Sequence, residues 1–424
     1  MRDRKSVEIM APAGGFDSLS AALSAGADSV YFGVGSLNMR SRSSANFSLD
    51  DLNYIAKKCR KNGVKSYLAL NTIVYDEDIQ TMKEALDAAL SAGVDAVIAC
   101  DPSALRYASS IGIPVHMSVQ ANVANIEAVK FYANYADVMV LARELTLDQI
   151  CYITEKIKRE KICGPSGELV RVELFAHGAL CVSISGKCYM SLSVYNASGN
   201  RGGCFQNCRR RYRVTDEETG EELVVENKFV MSPKDICTIK VLDKLIESGV
   251  SVFKLEGRGR SADYVYTVTS AYRKCVDKIL ERNGKVEPDF LNKLTEELET
   301  VFNRGFWDGG YYLGKTEEMW SGYSGNRATL KKTHIGHITN FFSKISVCEI
   351  NLKAGGLKQG DLILVTGNTT GSVKFKVDGI HLGGKLVDKA EKGDIISLKT
   401  QIKLRRNDKV YLLEERCNES VPNN

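Results

Sequence analysis

The sequence predicts an α/β chain in two parts: a TIM-like (β/α)8 barrel over residues 1–325 and a small all-β barrel domain over residues 326–416. Three observations predict it. A helix-to-strand phrase recurs as AALSAGADSVYFG, AALSAGVDAVIACD and KLIESGVSVFKLEG, with a weaker echo in FYANYADVMVLARE. Eight apolar strand candidates are spaced with room for a helix between neighbours, which argues for parallel βαβ units. After about residue 325 the chain changes to short alternating strands between Gly, Asn and Asp turns, as in a small β-barrel or sandwich.

The eight candidates are VEIMAPA, SVYFG, SYLALN, AVIACD, VHMSVQ, VMVLARE, RVELFAHG and SVFKLEG. They are near-continuous apolar runs, as strands buried on both faces require. Gly26, Gly93 and Gly249 stand between helix and strand, where a left-handed residue closes the helix. A doubly wound sheet is the alternative, but no GxGxxG follows the first strand. The polar link SGYSGNRATLKKT separates the two parts. In the second part LKQGDLILV and AEKGDIISL read as equivalent strands, and the tail 417–424 reads as disordered.

At 424 residues the chain is too long for one ordinary core. Its formal charge of +5 fits a nucleic-acid partner without demanding one. The start MRDRKSVEIMAPAGG lacks the apolar core of a signal peptide, and no apolar run reaches membrane-spanning length. The expectation is a cytoplasmic protein without a membrane partner.

Chemistry in a barrel belongs at the C-terminal strand ends. Those ends carry Asn71, Asp101, Gln120, Arg143, Glu144, His177, Glu256 and Arg258. As a set they would converge on one mouth, although any single one could merely cap a helix.

Four of the twelve cysteines cluster: Cys181, Cys188, Cys204 and Cys208, spaced Cys-x6-Cys-x15-Cys-x3-Cys. Zinc knuckles usually come from CxxC pairs, which are missing here. An iron–sulfur cluster tolerates irregular spacing, so the spacing puts iron–sulfur ahead of zinc and leaves unligated thiols as a further alternative. Arg201, Arg209, Arg210, Arg211 and Arg213 lie in the same run with no acidic residue among them. They suit an anionic substrate or RNA phosphates, or a solvated basic face. Tyr212 adds a ring on which a base could stack. GGYYLGKT at 309–316 matches GxxxxGK[ST], but VFNRGFWDG before it does not read as a strand and no long helix follows. HExxH and GxSxG do not occur.

ELFAHGALCVSISGKCYMS resembles the signature of the collagenase-like peptidases, the thirty-second family of peptidases of unknown catalytic type. The resemblance continues through GNRGGCFQNCRRRY, SPKDICTI and SVFKLEGRGRSADYV, and covers APAG, NMRSRSSANFSLDDL and the C-terminal domain. Better-understood members hydroxylate RNA or ubiquinone and carry a 4Fe–4S cluster on four cysteines. The resemblance therefore implies Cys181, Cys188, Cys204 and Cys208 as metal ligands, with zinc less favoured. It is strongest toward the tRNA hydroxylation protein P branch, which implies prephenate-dependent 5-hydroxylation of the tRNA wobble uridine. Within that implication His177, Glu256 and Glu144 are candidate catalytic groups. Arg143, Arg258, Asn71, Gln120, Arg209, Arg210 and Arg211 are candidate binders of prephenate or tRNA. Other outcomes are a peptidase, an rRNA hydroxylase, or a non-catalytic metal-containing RNA-binding module. Some family members act as pairs, so a homodimer or a heterodimer with a paralogue is a further expectation.

Overall fold

The computed structural model describes residues 4–42, 46–213, 215–220, 231–282, 284, 286–314, 318–321 and 325–416. The eight expected runs form β1 (Glu8–Pro12), β2 (Ser29–Phe32), β3 (Lys65–Leu70), β4 (Ala96–Ala99), β5 (Val115–Met117), β6 (Val138–Val140), β7 (Arg171–Ala179) and β9 (Val252–Leu255). Each pairs in parallel with the next, and β9 pairs with both β7 and β1, which closes the barrel. The runs become strands because Val, Ile, Leu, Tyr and Phe dominate them, and such side chains suit a surface buried on both faces.

Alternation along each strand divides the barrel into two packed layers. Met10, Tyr31, Tyr67, Ile98, Val138 and Val252 meet inside the barrel. Ile9, Val30, Leu68, Val97, Leu174 and Phe253 face the surrounding helices. Gly93 takes the left-handed conformation (φ 72°) that ends the helix Ile79–Ala92 and starts the turn into β4.

Two further strands lie outside the closed barrel. β8 (Asp235–Cys237) pairs antiparallel with the far end of β7, and β10 (Phe306–Asp308) pairs in parallel with β8. The segment VFNRGFWDG therefore does contain a short strand, contrary to the sequence expectation. Its backbone hydrogen bonds come from a distant neighbour, so local pattern gave no sign of it. The 3-10 turn Gly310–Leu313 follows, and Lys315 and Thr316 of the P-loop-like motif lie outside the described residues.

The C-terminal part is an antiparallel all-β domain running from Leu330 to Glu415, with its own core of Ile335, Ile338, Ile350, Leu352, Ile363 and Val410. Its two GD turns are equivalent: Asp361 accepts the Lys358 N–H at 2.9 Å and Asp394 accepts the Glu391 N–H at 2.8 Å. The domain docks on the barrel helix Phe16–Ser24. There a Cβ at Gly371 would come within 2.8 Å of the Ala21 nitrogen, so only glycine lets the backbones approach so closely. The tail 417–424 lies outside the described residues.

Candidate active site at the barrel mouth

β7 is the longest barrel strand, and it delivers Leu180 and Cys181 just past its end. The chain then forms a compact loop held by the helix Met190–Tyr195 and the 3-10 turns Gly199–Arg201 and Asn207–Arg209. Ser191 accepts the Phe205 N–H at 2.9 Å and the Asn207 amide donates to the Met190 carbonyl at 3.1 Å, so the two halves of the loop are tied together. Cys181, Cys188, Cys204 and Cys208 all line one cavity of about 220 Å3.

The same cavity is lined by Arg40, Arg143, Arg209, Lys254, Arg258, Arg260 and Arg304, against one acidic residue, Glu256. Lys254 is paired with Glu173, Arg304 with Asp235 and Arg40 with Glu256, and the remaining arginines leave the lining positive, which suits an anion. The Arg143 guanidinium stands over the Phe175 ring, 3.9 Å from its centroid, and Nη1 donates to the Ala179 carbonyl. Its buried Nε and that of Arg258 have no partner in the protein. Arg258 Nη1 donates to Asn38 Oδ1 at 2.9 Å.

Glu256 accepts two bonds from Arg40, Nη2 at 2.7 Å and Nε at 3.0 Å, and one from the Tyr31 hydroxyl at 3.1 Å. Burial alone would raise its pKa, but Arg40, Arg258 and Arg143 hold it down at about 2. A carboxylate this acidic is a fixed anion that orients arginines, not a base. Lys254 enters from the cavity floor, with Nζ 2.9 Å from Glu173 Oε1 and 4.6 Å from the Tyr31 ring centroid.

Of the sequence candidates, Asn71, Gln120, Arg143, Arg209, Glu256 and Arg258 line the cavity beside the four cysteines. The Asn71 amide donates to Gln120 Oε1 at 3.2 Å. Arg209 donates to the Leu180 carbonyl at 2.6 Å and to the Pro233 carbonyl, so it staples the loop to the segment before β8. Asp101 instead caps the helix Pro102–Ile111 through the Ser103 N–H. Glu144 and Arg211 are exposed and off the cavity, and Arg210 stacks on Tyr195.

His177 is the main correction. The β7–β9 register shifts between Phe175 and His177, so His177 stands opposite Leu255 and turns out of the barrel. Its ring packs among Tyr264, Tyr272 and Phe306, 1% exposed, and burial depresses its pKa to about 3. It cannot serve the cavity as a proton carrier from there.

Sequence reasoning passed over Arg40, Lys254, Arg260 and Arg304. Lys254 carried a signal, being the one basic residue inside the run SVFKLEG. The arginines stand on loops whose return to the mouth only the fold sets.

The sulfurs sense one another. Burial raises the Cys208 thiol, the Arg209 charge lowers it, and Cys181, Cys204 and Cys188 raise it again. Among the described residues no three His, Cys, Asp or Glu side chains are drawn close enough to hold a metal ion. The donor chemistry nevertheless fits a soft centre: four thiols from one loop line one cavity.

Residues 14–322 match the sequence profile of Peptidase family U32. The chain belongs to that family. A protein named "Collagenase" from Porphyromonas gingivalis is 49% identical over 409 residues, covering 96% of this chain and 98% of that protein. "tRNA hydroxylation protein P1" from Bacillus subtilis is 33% identical over 309 residues, covering 71% of this chain and 69% of that protein. "23S rRNA 5-hydroxycytidine C2501 synthase" from Escherichia coli is 34% identical over 307 residues, covering 71% of this chain and 45% of that protein. Identity is thus higher and the match longer for the protein named collagenase than for the two named for RNA chemistry. Among the described residues no helix is long and apolar enough to cross a membrane.

Proposed function

We propose that this chain is a cytoplasmic iron–sulfur enzyme that hydroxylates a pyrimidine of RNA, with the tRNA wobble uridine as substrate and prephenate as co-substrate. The observation that carries the proposal is the meeting of four thiols and seven basic residues in one cavity at the barrel mouth. The likeness to relatives named for tRNA and rRNA hydroxylation supports it. Cys181, Cys188, Cys204 and Cys208 would hold a 4Fe–4S cluster, which would supply one-electron chemistry when bound. Arg143 and Arg258, which both line the cavity, would bind the carboxylates of the co-substrate. Glu256 keeps Arg40 aimed into the cavity, and Asn71 with Gln120 offers amide groups to a base edge. Anaerobic purification with visible spectroscopy and iron, sulfide and zinc analysis tests the cluster. Brown protein with about four irons per chain is expected; a colourless zinc protein would sink the proposal.

A peptidase is the second reading, favoured by the name of the 49% identical relative. Among the described residues no histidine lines the cavity, so a cysteine nucleophile there has no imidazole base. Cleavage of a collagen peptide by the purified chain, lost on substituting a cavity residue, would establish it.

A further inference from the structure

Beside the cysteine cavity lies a second, larger groove of about 650 Å3, lined among others by Ser41, Arg42, Tyr75, Ser198, Arg201 and Gly203. One wall separates the two. Met39 and Arg40 line the cavity while Ser41 and Arg42 line the groove; Cys204 lines the cavity while Gly203 lines the groove. The wall is built by close backbone approach. Gly202 sits at φ 79°, and a Cβ there would run into Ser41 Oγ and the Asn38 carbonyl.

Exposed rings stand at and beside this groove: Tyr75 lines it, Phe205 lies near its Arg42, and Tyr195 precedes its Asn196 in the chain. Tyr195 is 40% exposed, Phe205 43% and Tyr75 50%. Tyr195 and Phe205 lie with centroids 4.8 Å apart, and each has a guanidinium nearby: Arg210 at 5.3 Å from Tyr195 and Arg42 at 5.8 Å from Phe205. Arg201 stacks on Tyr75 at 3.8 Å. The nearby acids Glu77 and Asp78 are both engaged by Arg201, at 3.8 and 2.6 Å, which leaves Arg42 and Arg210 to set the sign of the rim.

We propose that this groove is a platform for a single-stranded nucleic acid, whose bases stack on Tyr195 and Phe205 while its phosphates lie against Arg42 and Arg210. The inference rests on the RNA reading above and adds the surface that holds the strand. Exposed rings with interleaved arginines present π faces and positive charge together, and unpaired bases with a phosphate backbone need both. A folded acidic protein would use the charge but not the rings. A duplex keeps its bases inside and would use only the charge. The shared wall gives the platform its purpose. A strand lying in the groove would run beside the cysteine cavity, one wall away from it.

The test is fluorescence anisotropy with a labelled uridine-rich oligoribonucleotide, its duplex form and a collagen-like peptide, on the full chain with visible absorbance recorded for each variant. Tyr195→Ala should weaken single-strand binding roughly tenfold, while Tyr195→Phe, which keeps the ring, should bind as the parent does. Arg42→Ala should weaken binding and reduce the salt slope by about one; it stands on an exposed loop and does not depend on the first variant folding. If the parent binds the single strand but Tyr195→Ala and Arg42→Ala bind it equally well, the platform is wrong and the RNA reading stands. Tighter binding of the duplex than of the single strand also overturns the platform. If the parent binds the peptide and neither RNA, both fail.

Discussion

Lys254 Nζ and Glu173 Oε1 lie 2.9 Å apart inside the barrel, both almost fully buried, directly beneath the cysteine cavity. Glu173 also meets His116 Nδ1 at 3.2 Å, and His116 packs on Tyr67, whose hydroxyl donates to Glu8. A polar column thus runs down the barrel axis and anchors the one lysine of the cavity floor.

Removing the anion leaves that lysine buried and unpaired. Glu173→Ala should destabilise the barrel by about 3–5 kcal/mol, read by chemical denaturation. A loss below about 1 kcal/mol would mean that water replaces the carboxylate and the column is dispensable.

Acid should act through the same carboxylate. Burial would raise the Glu173 pKa, but Lys254 and His116 hold it at about 2, and Glu256 is held at about 2 by Arg40, Arg258 and Arg143. Both values lie below the unfolded glutamate value of about 4.3. Their stabilisation is therefore complete above about pH 4.3 and is lost as the pH falls toward 2. Denaturation midpoints measured across that window should fall steeply, and Glu173→Gln should flatten the slope.

His177 gives a second acid test, in a higher pH window. Burial depresses its pKa to about 3, so the unfolded chain takes up a proton that the folded chain refuses between about pH 6.5 and 3. Stability should decline with acid through that range and should decline less in His177→Phe. RNA modification by His177→Phe should persist in cells, because the ring faces Tyr272 and Phe306 and not the cavity. Loss of modification at unchanged stability would restore His177 to the reaction.

Much of this architecture can be read from residues, and the exceptions have causes. The eight barrel strands are legible because each is an apolar run behind a helix and a turn, as at Gly93 before AVIACD. β8 (DIC) and β10 (FWD) were not legible, because neither is an extended apolar run and their pairing joins distant segments, Asp235 to Phe306 for example. The mouth residues Asn71, Gln120, Arg143, Glu256 and Arg258 follow from strand ends, since alternation fixes their side. His177 does not, because a register shift reverses that alternation after Phe175. Arg40 pairs with Glu256 across 216 positions, a distance no local pattern encodes.

Gly202 holds the wall between cavity and groove. Gly202→Ala should cost about 1–2 kcal/mol in backbone conformation alone, and the clash with Ser41 and Asn38 should displace the loop. Visible absorbance and oligonucleotide binding should drop together. Gly220→Ala, at a similar φ of 71° with open space around it, should change neither. Parallel effects of the two variants would mean that the wall does not matter.

The Arg143 guanidinium stands over Phe175, 3.9 Å from the ring centroid, and the residue lines the cavity. Arg143→Lys keeps the charge and loses the planar pair of donors. With an anionic co-substrate bound there, KM for it should rise about tenfold with a smaller change in kcat. An unchanged KM would remove Arg143 from the binding set.

If the four cysteines form the working centre of an RNA hydroxylase, losing one of them must abolish the modification. Mass spectrometry of RNA nucleosides from a deletion strain carrying either the parent gene or Cys181→Ala reads this out. The parent should restore a 5-hydroxylated pyrimidine and Cys181→Ala should not. Full restoration by Cys181→Ala would contradict that role.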